Sequence, residues 1–136
     1  MTRKVIAVIL VVVLVLSLFG CASIKKASTF NGMKLSLGKE NVAHYNGKNW
    51  GIYVLWIPIL TGDTDKVSGE GGAIINTTFL KDTVNLDSLA EMITRNAKED
   101  GANTVVDMVS SRSTVWMAPF LVVFVKSVNM SASGVK

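Results

Sequence analysis

The most apolar stretch of the chain lies at its start, where hydrophobic residues run from Val5 to Phe19 with a single serine as interruption. Arg3 and Lys4 precede this run and give it a positively charged flank. A charged segment followed by roughly 7–15 apolar residues is the pattern of a secretory signal peptide. The sequence therefore predicts a signal peptide over residues 1–20.

One later segment has the period of an amphipathic helix, with apolar residues recurring at intervals of three and four. Its apolar face consists of Leu86, Leu89, Ala90, Ile93 and Ala97. Asn85 or Asp87 can cap the first turn, and Gly101 can take the left-handed conformation that often ends a helix. The pattern predicts one main helix at about residues 86–100.

Shorter segments have the composition and alternation of β-strands. The predicted strands cover residues 33–37, 50–58, 73–79, 104–109 and 120–133. Asn46-Gly47 favours a hairpin turn before the second of them, and residues 110–114 are predicted to turn the chain. In the last strand, Val128, Met130 and Ala132 alternate with serine and asparagine, which indicates a sheet with one solvated face. The pattern predicts an α+β fold: a single small domain, mainly antiparallel β-sheet packed on the one main helix, after the signal peptide.

The end of the apolar run carries a motif of four residues, Leu18-Phe19-Gly20-Cys21. This motif resembles the lipobox of bacterial lipoproteins. The resemblance implies cleavage between Gly20 and Cys21, and attachment of diacylglycerol, with acyl chains such as palmitate, to the Cys21 sulfur. Ala22 follows where an aspartate would retain the protein in the inner membrane. The implied location is the cell envelope: the outer membrane on its periplasmic side in a diderm host, otherwise the outer face of the cell membrane.

An uncleaved membrane anchor is the alternative interpretation of the same segment. Residues 5–24 carry no charge and are long enough to span a bilayer as a helix. Lys25 and Lys26 would then flank the far side, against the basic bias at Arg3 and Lys4, so the charge asymmetry is poor.

The remaining chain is predicted to contain the lipidated Cys21 with a flexible tether over residues 21–33, and the α+β domain over residues 34–136. The formal charge of +4 includes Arg3 and Lys4, so the mature chain carries +2, which argues against nucleic acid as a partner. Cys21 is the only cysteine, so an intramolecular disulfide is excluded. The predicted partners are the membrane, through the lipid on Cys21, and an envelope protein.

Candidate chemistry in the domain is sparse. His44 is the only histidine, which rules out a His/Cys metal cluster, and no nucleophile motif accompanies it. Asp63 and Asp65 begin like a calcium loop, but the positions that need an oxygen ligand and a glycine hold other residues. We therefore predict no metal, no cofactor and no enzymatic activity. A cluster of His44 with Asp63 or Asp65 would instead favour a hydrolase.

Two further stretches resemble known bacterial domains. The joint Gly101-Ala102-Asn103, between the predicted helix and a valine-rich strand, is similar to one in the YbjQ-like domains and in the lipoprotein sensor of the Rcs envelope-stress pathway. The stretch from Trp50 through Pro58 to Asp63 is similar to one in uncharacterised bacterial lipoproteins. Both resemblances imply a fold and leave the activity open.

The sequence thus predicts a membrane-anchored bacterial lipoprotein that acts as a non-enzymatic structural, interaction or sensing module of the envelope. The alternative is a ligand- or glycan-binding lipoprotein. Its aromatic surface would consist of Trp50, Tyr53 and Trp56, together with Asp63 and Asp65 in the loop over residues 61–72.

Overall fold

The longest strand, β4 (Asn41–Val54), lies inside a six-stranded antiparallel sheet. The computed structural model describes residues 6–7, 22–30, 33–34, 40–67, 77–117 and 122–136. The other strands are β1 (Ala22–Ala27), β2 (Thr29–Phe30), β3 (Met33–Lys34), β5 (Ile57–Gly62), β6 (Thr77–Phe79), β7 (Thr104–Trp116) and β8 (Val123–Val135). Within residues 22–136 as far as they are described, the helix α1 (Leu86–Glu99) packs on the sheet, and a 3-10 turn covers Thr64–Lys66. The predicted small α+β domain with one main helix is confirmed at this level.

The order of the strands is β6-β5-β4-β8-β7, and β2 pairs only with β3. Along one edge of β4, β8 pairs over the whole length from Asn41 to Val54. The opposite edge is shared: β1 pairs with residues 44–49 and β5 with residues 51–54. The N-terminal strand and β5 therefore follow one another along the same side of β4.

Burial alternates along the two central strands. Tyr45, Asn49 and Tyr53 lie on one face of β4 and are fully buried, and they pair with Ala132, Val128 and Phe124 of β8, which are also buried. Residues 46 and 48 on the other face of β4 are exposed. The predicted alternation at residues 128–132 is therefore confirmed.

The helix begins and ends as its sequence predicts. The Asn85 side chain accepts a hydrogen bond from the Ser88 amide at 2.8 Å, which satisfies one of the free donors of the first turn. At the other end Gly101 has φ of 86° and leads the chain into Ala102. Leu89, Met92 and Ile93 are completely buried against the sheet.

The helix is much shorter than the strands it covers. Its 14 residues span about 21 Å at 1.5 Å per residue. The 14 residues of β4 span about 46 Å at 3.3 Å per residue. Close approaches place α1 over Gly47 of β4, next to Leu89 and Met92, and over Gly134 of β8, next to Ala97. The end of the sheet that contains Val54 therefore extends beyond the N-terminus of the helix.

The predicted hairpin turn at Asn46-Gly47 is wrong. Both residues lie inside β4 and pair with β1 on one side and β8 on the other. A Cβ atom at Gly47 would lie 3.0 Å from Met92 Cε and 3.2 Å from Ile93 Cδ1. The glycine is explained by the close approach of the helix, and the hairpin turn falls instead at Leu55 and Trp56.

Three other segments differ from the predictions. β4 ends at Val54, so Pro58 lies within the next strand, β5. β7 continues through Ser110–Thr114, where a turn is predicted, because these residues pair with β8. Residues 22–27 of the predicted flexible tether form β1, which pairs with β4 and contributes Ala22 and Ile24 to the buried core. Residues 35–37, 73–76 and 120–121 of the predicted strands lie outside the described residues.

Candidate functional site: the apolar end of the sheet

The turn between β4 and β5 has an unusual backbone conformation for its sequence. Val54 pairs with Ile57, which leaves Leu55 and Trp56 as a two-residue hairpin loop. Their φ angles are 48° and 74°, the double left-handed geometry in which Asn-Gly is the preferred sequence. A bulky residue at positive φ is a conformational outlier. Two adjacent ones identify this turn as a strained segment, and strain of this kind tends to occur at functional sites.

Large apolar side chains are exposed around this turn. We call this surface the apolar end: Leu55, Trp56, Ile57, Val115, Trp116 and Val122. Trp56 is 67% exposed, Leu55 59% and Trp116 57%. The amide of Leu55 donates to the Val122 carbonyl at 2.9 Å, which holds the two turns of the sheet side by side. An exposed apolar cluster of this kind marks an interaction surface more often than an isolated exposed leucine does.

Aromatic rings organise the apolar end. The centroid of Phe124 lies 5.5 Å from that of Trp56 and 5.6 Å from that of Trp116, and the two indole rings meet edge to face at 6.5 Å. On its other side Phe124 stacks on Tyr53 at 5.6 Å. Trp56 and Trp116 thus cover one side of the buried Phe124.

The inner boundary of this aromatic cluster is polar. The Tyr53 hydroxyl donates to Asp82 Oδ1 at 2.6 Å, and the Lys126 ammonium lies 4.2 Å from the centroid of the Tyr53 ring. Burial of the phenol, followed by the hydrogen bond and the charge of Asp82, raises the pKa of Tyr53 above its ordinary value of 10.0. The first charged residues back from the apolar end on β4, β7 and β8 are Lys48, Arg112 and Lys126, all of them basic.

The three aromatic residues of the predicted binding surface are not on one surface. Tyr53 is completely buried on the helical side of β4. Trp50 lies on the opposite side of the same strand and is half-buried. Trp56 is exposed at the turn and reaches Tyr53 only through the Phe124 ring between them.

The candidate carboxylates are engaged in local structure. Asp63 is buried, accepts from the Asp65 amide at 3.1 Å and forms an ion pair with Lys66. Asp65 is exposed and pairs with Lys81 at 3.4 Å. His44 Nδ1 lies 3.1 Å from Ser133 Oγ. Within the described part of the chain, no group of three or more histidine, cysteine, aspartate or glutamate side chains could hold a metal ion.

The predicted lipidation and cleavage residues, Cys21 and Gly20, lie outside the described residues, as do residues 68–72 of the predicted loop. Sequence reasoning missed Leu55, Trp116 and Phe124. A signal was available for the first, because Leu55 and Trp56 stand in a run from residue 50 to residue 60 that is apolar at both alternating sets of positions, unlike a strand with one solvated face.

Comparison with known proteins adds no assignment. No protein-family model, no curated protein and no solved structure matches the chain. Among the helical residues that the structure describes, none belongs to a helix with the length and hydropathy needed to cross a bilayer.

Proposed function

We propose that the protein is a bacterial lipoprotein, held in the cell envelope by diacylglycerol on Cys21, that acts as a non-enzymatic structural, interaction or sensing module. The observation that carries the proposal is the motif Leu18-Phe19-Gly20-Cys21 at the end of an apolar run of signal-peptide length. Two or three acyl chains at one cysteine anchor a domain stably, because each buried CH₂ contributes about 0.8 kcal/mol.

The position of β1 supports cleavage at this motif. Ala22 and Ile24 are 1% and 3% exposed and belong to the sheet. Cleavage after Gly20 leaves this strand complete, whereas an uncleaved helix over residues 5–24 would have to include residues that pair with β4. Residues 5–21 alone are at the short limit of a membrane-spanning helix.

The polar side chains of the domain support a non-enzymatic role. Asp63 and Asp65 each pair with a lysine close to the turn that they help to build, and His44 lies beside Ser133 on another part of the sheet. A general acid or base must be held in place near a reacting group. A cluster of His44 with Asp63 or Asp65, which would favour a hydrolase, is not among the contacts of the described residues.

The proposed location follows from Ala22 at the position after the cysteine: the periplasmic side of the outer membrane in a diderm host, or the outer face of the cell membrane otherwise. An envelope protein is the proposed partner. The second candidate is a ligand- or glycan-binding lipoprotein, favoured by the exposure of Trp56 beside Trp116.

Mass spectrometry of the protein purified from membranes tests the proposal. We expect a chain that begins at Cys21 and is heavier by its acyl groups. The variant Cys21→Ser should accumulate as the uncleaved precursor, whereas Ser23→Ala, two residues further on, should be processed normally. An unmodified chain that retains residues 1–20 would contradict the proposal.

A further inference from the structure

We propose that the apolar end of the sheet enters the lipid bilayer beside the anchor and gives the domain a second, non-covalent membrane contact. This inference rests on the proposed function, because it takes the chain at residue 21 to be attached to the membrane. It assigns a lipid surface as the partner of Leu55, Trp56, Ile57, Trp116 and their neighbours.

The direction of β1 brings the anchor to this end of the molecule. β1 runs antiparallel to β4, and its first residue, Ala22, lies opposite Asn49. The N-terminal end of β1 therefore faces the side of Val54, where the apolar end lies. Residue 21 is one peptide unit away, so its Cα lies about 3.8 Å from that of Ala22. No long linker separates the anchored residue from the sheet.

The distance along β4 from the level of Ala22 to Val54 determines how deep the apolar end would lie in an anchored domain. From Asn49 to Val54 the strand advances five residues, about 17 Å at 3.3 Å per residue. The apolar end is therefore farther toward the anchored side than Ala22 itself. Strands inclined by only about 30° to the surface would place it roughly 8 Å below the level of the anchor, within the 5–10 Å depth of interfacial segments.

The charges lie at the level that this orientation requires. Lys126 pairs with Gly51, and Arg112 pairs with Val128, which is opposite Asn49. Arg112 is thus level with Ala22, and Lys126 lies two residues, about 7 Å along the strand, closer to the apolar end. In the inclined orientation both would lie near the lipid headgroups. Between them and the apolar end, β7 and β8 carry no acidic residue. Basic side chains close to the surface are attracted to anionic lipids.

The strained turn supports the same partner. Asn-Gly would suit the backbone of residues 55 and 56 better and would be more soluble. The chain instead places a leucine and a tryptophan there, both more than half exposed. Tryptophan is the side chain typical of membrane–water interfaces, where its ring is apolar and its N–H can still find a partner. A lipid surface would bury both side chains without any change in the fold.

Depth-dependent quenching of single tryptophans tests the proposal. The chain has three tryptophans, so W50F/W116F retains only Trp56, W50F/W56F only Trp116, and W56F/W116F only Trp50. Each full-length variant is expressed in its host, purified from membranes and reconstituted in phosphatidylethanolamine–phosphatidylglycerol vesicles. The vesicles contain phosphatidylcholine with either brominated or unmodified acyl chains. Mass spectrometry of each sample reports the lipid on Cys21 independently.

We expect brominated chains to reduce the fluorescence of Trp56 and Trp116 strongly and that of Trp50, which is level with the anchor, much less. Equal fluorescence of Trp56 in both kinds of vesicle, with Cys21 lipidated, would overturn the inference and leave the proposed function standing. Trp56 that is protected from aqueous iodide but not quenched by bromine would also overturn the inference, because a protein partner or a second copy of the chain would then cover the surface. Quenched Trp56 on an unmodified chain would instead refute the lipid anchor and keep the membrane contact.

The variant Leu55→Asn in the Trp56-only chain provides a second measurement. It removes apolar surface at a position where asparagine suits the backbone, so the fold should persist, as circular dichroism can verify. We expect a partial loss of bromine quenching at Trp56. Asn46→Ala, an exposed position of β4 far from the turn, serves as the control and should leave the quenching unchanged. Unchanged quenching in Leu55→Asn would contradict a contact at the turn.

Discussion

The two ends of β4 are built from similar parts and have different surroundings. Tyr45 and Tyr53 lie on the same face of the strand, both are fully buried, and each donates a hydrogen bond to a carboxylate, Asp100 at 2.8 Å and Asp82 at 2.6 Å. Around Tyr45 the helix covers the sheet, and Lys26 completes the cluster with an ion pair to Asp100. Around Tyr53 the neighbouring groups are the stacked ring of the buried Phe124 and the Lys126 ammonium. Phe124 in turn contacts the exposed rings of Trp56 and Trp116.

The difference arises because a helix advances by 1.5 Å per residue and a strand by about 3.3 Å. A helix of 14 residues therefore covers at most about half the length of a strand of 14 residues. One end of β4 therefore has its apolar partners within the protein, and the other end retains apolar side chains for another surface. The first end is a core, and the second has the character of an interface.

The largest expected effect is the difference in lost stability between a variant in the core and a variant at the apolar end. Ile93→Ala empties a completely buried position under the helix, and we expect a loss of about 2–5 kcal/mol in the free energy of unfolding. Ile57→Ala removes a side chain that is 54% exposed, so its loss should be below about 1 kcal/mol. Urea denaturation in detergent measures both. Equal losses would contradict the distinction between the two ends.

We expect an intermediate loss of stability when Tyr45 or Tyr53 loses its buried hydroxyl group. Burial, followed by the hydrogen bond and charge of Asp100, raises the pKa of Tyr45 above 10.0, as at Tyr53. The folded state thus retains these protons more strongly than the unfolded chain. Their contribution is complete below pH 10 and declines as the pH rises from there toward the raised pKa values. Tyr45→Phe and Tyr53→Phe should each cost about 1 kcal/mol at neutral pH.

The measurement for the tyrosines is the free energy of unfolding as a function of pH. We expect the double variant Tyr45→Phe/Tyr53→Phe to lose less stability than the parent chain between neutral pH and pH values above 10, because two of the responsible groups are absent. An alkaline decline as steep in the double variant as in the parent would show that other groups cause it.

The smallest expected effect is an increase in stability, from a substitution in the strained turn. Leu55→Asn should increase the free energy of unfolding by roughly 0.5–1 kcal/mol in the absence of membranes, because leucine at positive φ costs about 1–2 kcal/mol and asparagine less. Urea denaturation measures the gain. Ile57→Asn, in the strand next to the turn, should not stabilise the protein. A loss of stability in Leu55→Asn would mean that the leucine contributes to the fold more than its exposure suggests.

Sequence reasoning was most successful where structure depends on local pattern. The period of residues 86–97, with Asn85 before and Gly101 after, predicts α1 almost to its ends. The alternation at residues 128–132 predicts the two faces of β8. It was least successful where a residue has a distant partner. Asn46-Gly47 favours a turn by its local sequence, but the role of Gly47 depends on Met92 and Ile93 in the helix.

The same limit applies to the candidate site. Trp56 was among the predicted residues, but Trp116 and Phe124 were not, because their strands meet Trp56 only through pairing across the sheet. The polar sequence after Cys21 indicated a tether, although Ala22 and Ile24 fill space beside β4 that the local pattern does not reveal.

The sequence by itself determined the helix and its caps and the alternating faces of the last strand, since each depends on residues a few positions apart. It also contains the apolar run at residues 5–19 with its lipobox-like end. Only the tertiary structure decided that β4 continues through Asn46-Gly47, that β1 joins its edge, and that Trp56 lies beside Trp116. These features depend on hydrogen bonds and contacts between distant segments, and their free energy exists only once the whole sheet has formed.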